Sequence, residues 1–128
     1  MKLVVNRPRG FTLIELLVVL AIVALLLTLA VPRYFQSIDA AKETVLLDNL
    51  RVTRETIDKF YGDTGRYPDS LDQLVERKYL RAIPYDPITE SSSTWIIVPP
   101  DDVEQGLVYS IKSGSFGLNR NGKPFNTL

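Results

Sequence analysis

Residues Phe11 to Val31 form a 21-residue apolar run broken by a single charge, Glu15. As a helix such a run spans about 31 Å, close to the roughly 30 Å of bilayer hydrocarbon. Few soluble folds can absorb it. Lys2, Arg7 and Arg9 are the only charges in the first ten residues. The positive-inside rule therefore puts the N-terminus in the cytoplasm and everything after Pro32 across the membrane. An ionised acid in hydrocarbon costs roughly 2.5–3.5 kcal/mol on insertion scales. A chain that needed only an anchor would gain from Leu at position 15, so Glu15 requires a role.

The rest of the chain bounds that role. At 128 residues, with the first 31 committed to leader and membrane, one small domain with a modest core remains. Formal net charge is zero, from 15 basic and 15 acidic side chains, so nothing points to nucleic acid. Without the leader the balance becomes 12 basic against 15 acidic. There is no cysteine and no histidine. Disulfides, Cys nucleophiles, His-based acid–base catalysis and nearly all zinc sites are thereby removed.

Two bland readings compete for the apolar run. A secretory signal peptide could be cleaved near Thr28 and Ala30, but its apolar region usually spans about 7–15 residues, and it leaves Glu15 unexplained. A plain single-pass anchor leaves Glu15 unexplained too.

Beyond Pro32 the helix is expected to continue. Tyr34, Ile38, Ala41, Val45, Leu46, Leu50, Ile57, Phe60 and Tyr61 recur at three- and four-residue steps and give an apolar face. Asp39/Lys42, Asp48/Arg51, Arg51/Glu55 and Glu55/Lys59 are spaced to pair on the other side. Pro32 removes one amide hydrogen and clashes with the Thr28 carbonyl, which predicts either a kink or a helix boundary. Gly62 and Gly65 in GDTG end the helix.

A short second helix is expected after Pro68, capped by Asp69 or Ser70, with Leu71, Leu74, Val75 and Leu80 on its apolar side. The last third changes period. Thr94–Val98 and Leu107–Lys112 read as strands, and Asn121-Gly122 signals a tight turn between short strands at 116–118 and 123–125. Trp95 is expected in the core between sheet and helix. The predicted class is α+β, a long N-terminal helix packed on a small antiparallel sheet.

The segment Arg9-Gly10 followed by Phe-Thr-Leu-Ile-Glu, with Pro32 beyond it, resembles the processing site of type IV pilins and of type II secretion pseudopilins. Arg66-Tyr67-Pro68 with Leu71 and Leu74, and Ile83-Pro84-Tyr85-Asp86-Pro87, resemble the major pseudopilin in particular. This chain has Ile88-Thr89 where that family commonly has Trp-Gly. The resemblance implies a pilin-like fold and a leader, residues 1–10, removed by prepilin peptidase after Gly10. Phe11 then becomes the N-methylated first residue, residues 11–31 a transmembrane and polymerisation helix, 32–62 its continuation, and 63–128 a periplasmic globular part. Glu15 matches the family's acid and Pro32 its proline. Cleavage exposes a cationic amine on Phe11, and Glu15 can pair with it on its own or a neighbouring subunit. Such a pair offsets two desolvation costs and sets axial register. Gly10 also offers a protease an unobstructed, flexible bond.

The loop Ser113 to Gly122 corresponds to a family loop that in many major pseudopilins binds calcium. A hard cation wants six to eight oxygens, with carboxylates setting affinity. Ser113, Ser115, Asn119 and Asn121 supply neutral oxygens only, and no Asp or Glu follows Glu104. Turns and backbone hydrogen bonds are therefore expected to hold this loop, with calcium the lesser alternative.

Three functions follow in order. The first is a subunit polymerising with itself and with other pseudopilins into a periplasmic pseudopilus for protein export. It would start in the bacterial inner membrane on an assembly platform. The second is a type IV pilin or minor pilin of a surface filament. The third, a membrane-anchored enzyme or ligand-binding module, lacks support, because Ser91–Ser93 with Asp86 and Glu90 has no base.

Overall fold

The computed structural model describes residues 10–128. The expected leader, with Lys2, Arg7 and Arg9, falls outside the described residues except for Gly10. The chain divides into two compact units, Met1–Ser37 and Ile38–Leu128.

Helix α1 runs Leu13–Thr64 and contributes to both units. In the first unit its side chains are exposed on every side from Leu13 to Val31. It is the one described helix long and apolar enough to cross a membrane. Pro32 lies inside the helix, so of the two alternatives the boundary is not taken. Its missing amide leaves the Thr28 carbonyl without its helical donor.

In the second unit α1 buries one stripe: Leu46, Leu50, Thr53, Ile57 and Phe60. Steps of three and four residues keep these on a single face. The expected face was too long at its start, since Tyr34, Ala41 and Val45 are exposed and Ile38 is half-buried. Asp48 and Glu55 both pair with Arg51, at 2.7 and 3.2 Å. Lys42 instead reaches Glu90 at 3.5 Å, because residues 86–91 fold back over this part of the helix. The helix stops at Gly65, whose φ of +78° suits glycine and whose N–H bonds the Tyr61 carbonyl at 2.8 Å. Gly62 stays within the helix.

Helix α2, Leu71–Glu76, is a single turn and a half capped by Ser70, which accepts from the Gln73 amide at 3.2 Å. Its Leu71 and Leu74 are buried. Strands β1, Ile96–Val98, and β2, Ser110–Lys112, pair antiparallel with Ile97 opposite Ile111. Both are shorter than expected. The Leu107 and Val108 amides turn away to the Pro68 carbonyl, at 3.2 and 2.9 Å, which starts the β2 pairing later. The expected hairpin around Asn121-Gly122 is reduced to one bridge, Leu118 with Pro124. Pro124 has no amide to extend the ladder.

The core joins the helix stripe to Leu71, Leu74, Trp95, Val108, Ile111 and Phe125. Trp95 takes its expected core place, and its indole N–H donates to the Pro84 carbonyl at 2.7 Å. Arg54, half-buried on the inner side of α1, ties the helix to the C-terminal third. It donates to Ser110 Oγ at 3.1 Å and to the carbonyls of Ile111 and Leu128 at 3.0 and 2.6 Å.

Candidate functional site

The start of α1 gathers three of the residues singled out above. Gly10 and Phe11 precede the helix, and both are exposed, Phe11 at 86%. The bond between them therefore lies outside regular structure. A Cβ on Gly10 would meet nothing within 4 Å, so no packing within the chain demands glycine there.

Thr12 and Glu15 form a reciprocal cap. The Glu15 amide donates to Thr12 Oγ1 at 3.2 Å, and the Thr12 amide donates to Glu15 Oε2 at 3.4 Å. The first backbone amides of a helix lack partners inside it. A Thr-x-x-Glu box satisfies two of them at once, and a carboxylate is favoured at the positive end of the helix dipole. Glu15 thus has a local role that its membrane cost alone does not suggest. The signal was present in the string Thr12-Leu13-Ile14-Glu15. Only Oε2 is engaged in the cap, which leaves Oε1 able to accept from a further donor.

From this cap the helix presents apolar side chains in all directions to Val31, and Pro32 follows about one and a half turns short of the unit's last residue, Ser37. Each Leu, Ile or Val withdrawn from water is worth about 1.5–3 kcal/mol. A helix of this kind is stable only in lipid or against other apolar surfaces.

The proposed calcium-loop residues are brought close in two pairs, and the side-chain oxygens of Ser113, Ser115 and Asn119 are already used. Ser113 is buried and donates to Asp86 Oδ2 at 2.6 Å, while its Oγ accepts from the Ser115 amide at 3.2 Å. Ser115 Oγ accepts from the Gly117 amide at 3.1 Å. Asn119 Oδ1 accepts from the amides of Asn121 and Lys123 at 2.9 and 2.8 Å. Among the described residues no cluster of three or more acidic side chains faces a common point.

Two anchors of this loop were not foreseen. Asp86 is fully buried; besides Ser113, it accepts from the amides of Ile88 and Thr89 at 2.9 and 3.3 Å. An Asp bonding the amide two residues on is the Asx-turn signature, and Asp86-Pro87-Ile88 carries it. The second anchor is Arg120. Its backbone amide and Nε donate to the two oxygens of Glu43, at 2.8 and 3.0 Å. Desolvation raises the Glu43 pKa, but the hydrogen bonds and positive charge of Arg120 outweigh it, so the carboxyl sits below its ordinary value of 4.5.

Residues 5–31 match the prokaryotic N-terminal methylation motif. The chain is 32% identical over 98 residues to the type II secretion system core protein G of Pseudomonas aeruginosa, covering 64% of this chain and 69% of that protein. With the Escherichia coli core protein G it shares 26% identity over 128 residues, covering 88% and 85%. It is also 32% identical over 68 residues to the type IV major pilin protein PilA of Myxococcus xanthus, but spans only 31% of that longer protein. No solved structure gives a significant match. The long apolar N-terminal helix, the small antiparallel sheet and these relationships agree: the chain belongs to the family of the type II secretion system core protein G, the pseudopilins.

Proposed function

We propose that this chain is a structural subunit that polymerises through the N-terminal part of α1 into a periplasmic pseudopilus driving type II protein secretion. The observation that carries this reading is the apolar surface of residues 11–31, exposed on all sides behind a capped start. In the bilayer, lipid covers that surface. In a filament, the same surface of neighbouring subunits covers it.

Prepilin peptidase removes the leader between Gly10 and Phe11 on the cytoplasmic side of the inner membrane and methylates the new Phe11 amine. The cation so formed lies at the positive end of a helix, and the free oxygen of Glu15 is its counter-ion within or between subunits. Residues after Pro32 occupy the periplasm. An inner-membrane assembly platform and other pseudopilins are the working partners. The chain has no catalytic task. The internal hydrogen bonds of Ser113, Ser115 and Asn119 support a C-terminal loop that closes on itself without calcium.

The test is an intact mass of the protein from membranes, with and without the peptidase, followed by filament assembly of Glu15→Gln. A mass starting at Phe11 with one added methyl is expected. Gln can still complete the cap but carries no charge, so this variant separates the two roles of Glu15. Processed but unassembled Glu15→Gln is the expected result. Normal filaments from it would remove the pairing role, and a mass starting at Val31 would remove the filament reading. Loss of secreted proteins on deletion, rather than loss of twitching, separates the pseudopilus from a surface pilus.

A further inference from the structure

One cation stands where the apolar part of α1 ends. Between Glu15 and Asp39 the sole charged residue is Arg33. The rise from Leu13, where α1 begins, to Arg33 is about 30 Å, the thickness of bilayer hydrocarbon. With the start of α1 at one face of the membrane, the guanidinium reaches the phosphate level of the other leaflet. Arg33 is exposed and takes part in no ion pair among the described residues. No carboxylate lies within one helical turn of it on either side. Its counter-ion therefore comes from outside the chain.

The next two residues place that counter-ion in a membrane surface. Tyr34 and Phe35 are 64% and 60% exposed, with their rings edge to face at 6.0 Å. Nothing in the chain covers them. Aromatic rings collect at the level of lipid headgroups, where an apolar body and a polar edge are both accommodated. Gln36 and Ser37 follow, polar and exposed, as α1 passes into water.

The surface below the guanidinium has a matching shape. Leu26, Leu29, Ala30 and Arg33 line an open notch of about 620 Å³. Steps of three and four residues put all four on one face of the helix. The small side chain of Ala30 leaves room between the leucines and Arg33. The notch is apolar along its length and cationic at its upper end, which is the outline of an acyl chain leading to a phosphate. A guanidinium suits that phosphate, because its planar fork matches two of the oxygens.

We propose that α1 holds one anionic phospholipid of the periplasmic leaflet, its acyl chain along Leu26, Leu29 and Ala30 and its phosphate on Arg33. A zwitterionic headgroup offers the same phosphate with an ammonium beside it, and that ammonium repels the guanidinium. The contact thus selects a lipid of net negative charge. It fixes the depth of the subunit in the bilayer and is broken when the subunit leaves it. The inference rests on the membrane-spanning reading of α1 and is independent of filament formation.

The test uses the full-length chain, co-expressed with the peptidase and reconstituted into nanodiscs of equal parts phosphatidylglycerol and phosphatidylcholine. Lipids that remain bound to single subunits are counted by native mass spectrometry. Arg33→Gln keeps a polar side chain at the interface without the charge, and Ala30→Leu keeps the charge but fills the notch. The parent is expected to retain phosphatidylglycerol over phosphatidylcholine. Arg33→Gln should lower that ratio about fivefold, the worth of one basic side chain at an anionic surface. Ala30→Leu should lower the amount of lipid retained while the preference survives. An unchanged ratio in Arg33→Gln overturns the inference. An unchanged ratio together with lost filaments also overturns it, and makes a neighbouring subunit's carboxylate the partner of Arg33. Full retention by Ala30→Leu overturns the seat of the acyl chain in the notch. A parent chain that does not enter the bilayer removes the membrane reading as well.

Discussion

Residues 13–31 and residues 46–60 belong to the same helix, yet they solve opposite problems. The first stretch is apolar all round and buries nothing within its own chain. The second alternates, hiding Leu46, Leu50, Thr53, Ile57 and Phe60 while Asp48, Arg51 and Glu55 face solvent. A stripe finds its partner inside the same molecule, because the sheet and α2 can cover one side of a helix. A surface apolar on all sides leaves no side for water, so its partner must be lipid or another subunit. The pattern of apolar residues, more than their number, decides whether a helix segment works for folding or for assembly.

The comparison can be broken by large-to-small changes in each stretch. Phe60→Ala should cost the globular unit about 3–5 kcal/mol, since it opens a cavity in the core. Leu20→Ala should cost that unit less than about 0.5 kcal/mol, as a change away from its packing. Urea unfolding in detergent, followed through the fluorescence of Trp95, measures both. Equal losses would mean that the two stretches do not divide the work.

A smaller effect sharpens what holds the C-terminal loop. Asp86→Ala strands the Ser113 hydroxyl and two amides, a loss of roughly 1–3 kcal/mol for a buried partner left unsatisfied. Adding Ser113→Ala should cost little more, because the two side chains share one interaction. Independent, additive losses in the same unfolding experiment would separate them.

The smallest effect is a pH dependence. Glu43 has its pKa lowered in the folded chain, so its pairing with Arg120 stabilises above pH 4.5 and is lost as pH falls below that value. Glu43→Gln should cost under about 1 kcal/mol at neutral pH, as expected for a pair open to solvent on the Arg120 side. The variant should also flatten the loss of stability as pH falls below 4.5 relative to the parent; an unchanged acid slope would place that slope elsewhere.

What could be read from the chain alone follows the range of each interaction. The helix, its apolar run, the Ser70 cap and the core role of Trp95 depend on neighbours a few residues apart or on bulk hydrophobicity, and they were legible. The Thr12–Glu15 cap is equally local, but the membrane cost of a carboxylate draws attention to a distant partner first. The Asp86–Ser113 bond and the bonds of Arg54 and Arg120 join partners 27 to 77 positions apart. No local period encodes such pairings. The strands were overextended for a related reason, since composition marks residues fit for a sheet but not the Pro68 carbonyl that diverts Leu107 and Val108.

Those distant pairings also set an order of events. Arg54 meets the Ile111 carbonyl across 57 positions, and Glu43 meets Arg120 across 77. Contacts that close such long loops form late, after their entropy cost has been met by other structure. The stripe on α1 therefore waits, open along one side, until the last fifth of the chain has arrived. During delivery, the helix end that joins a growing array is complete well before the part that gives the subunit its finished surface.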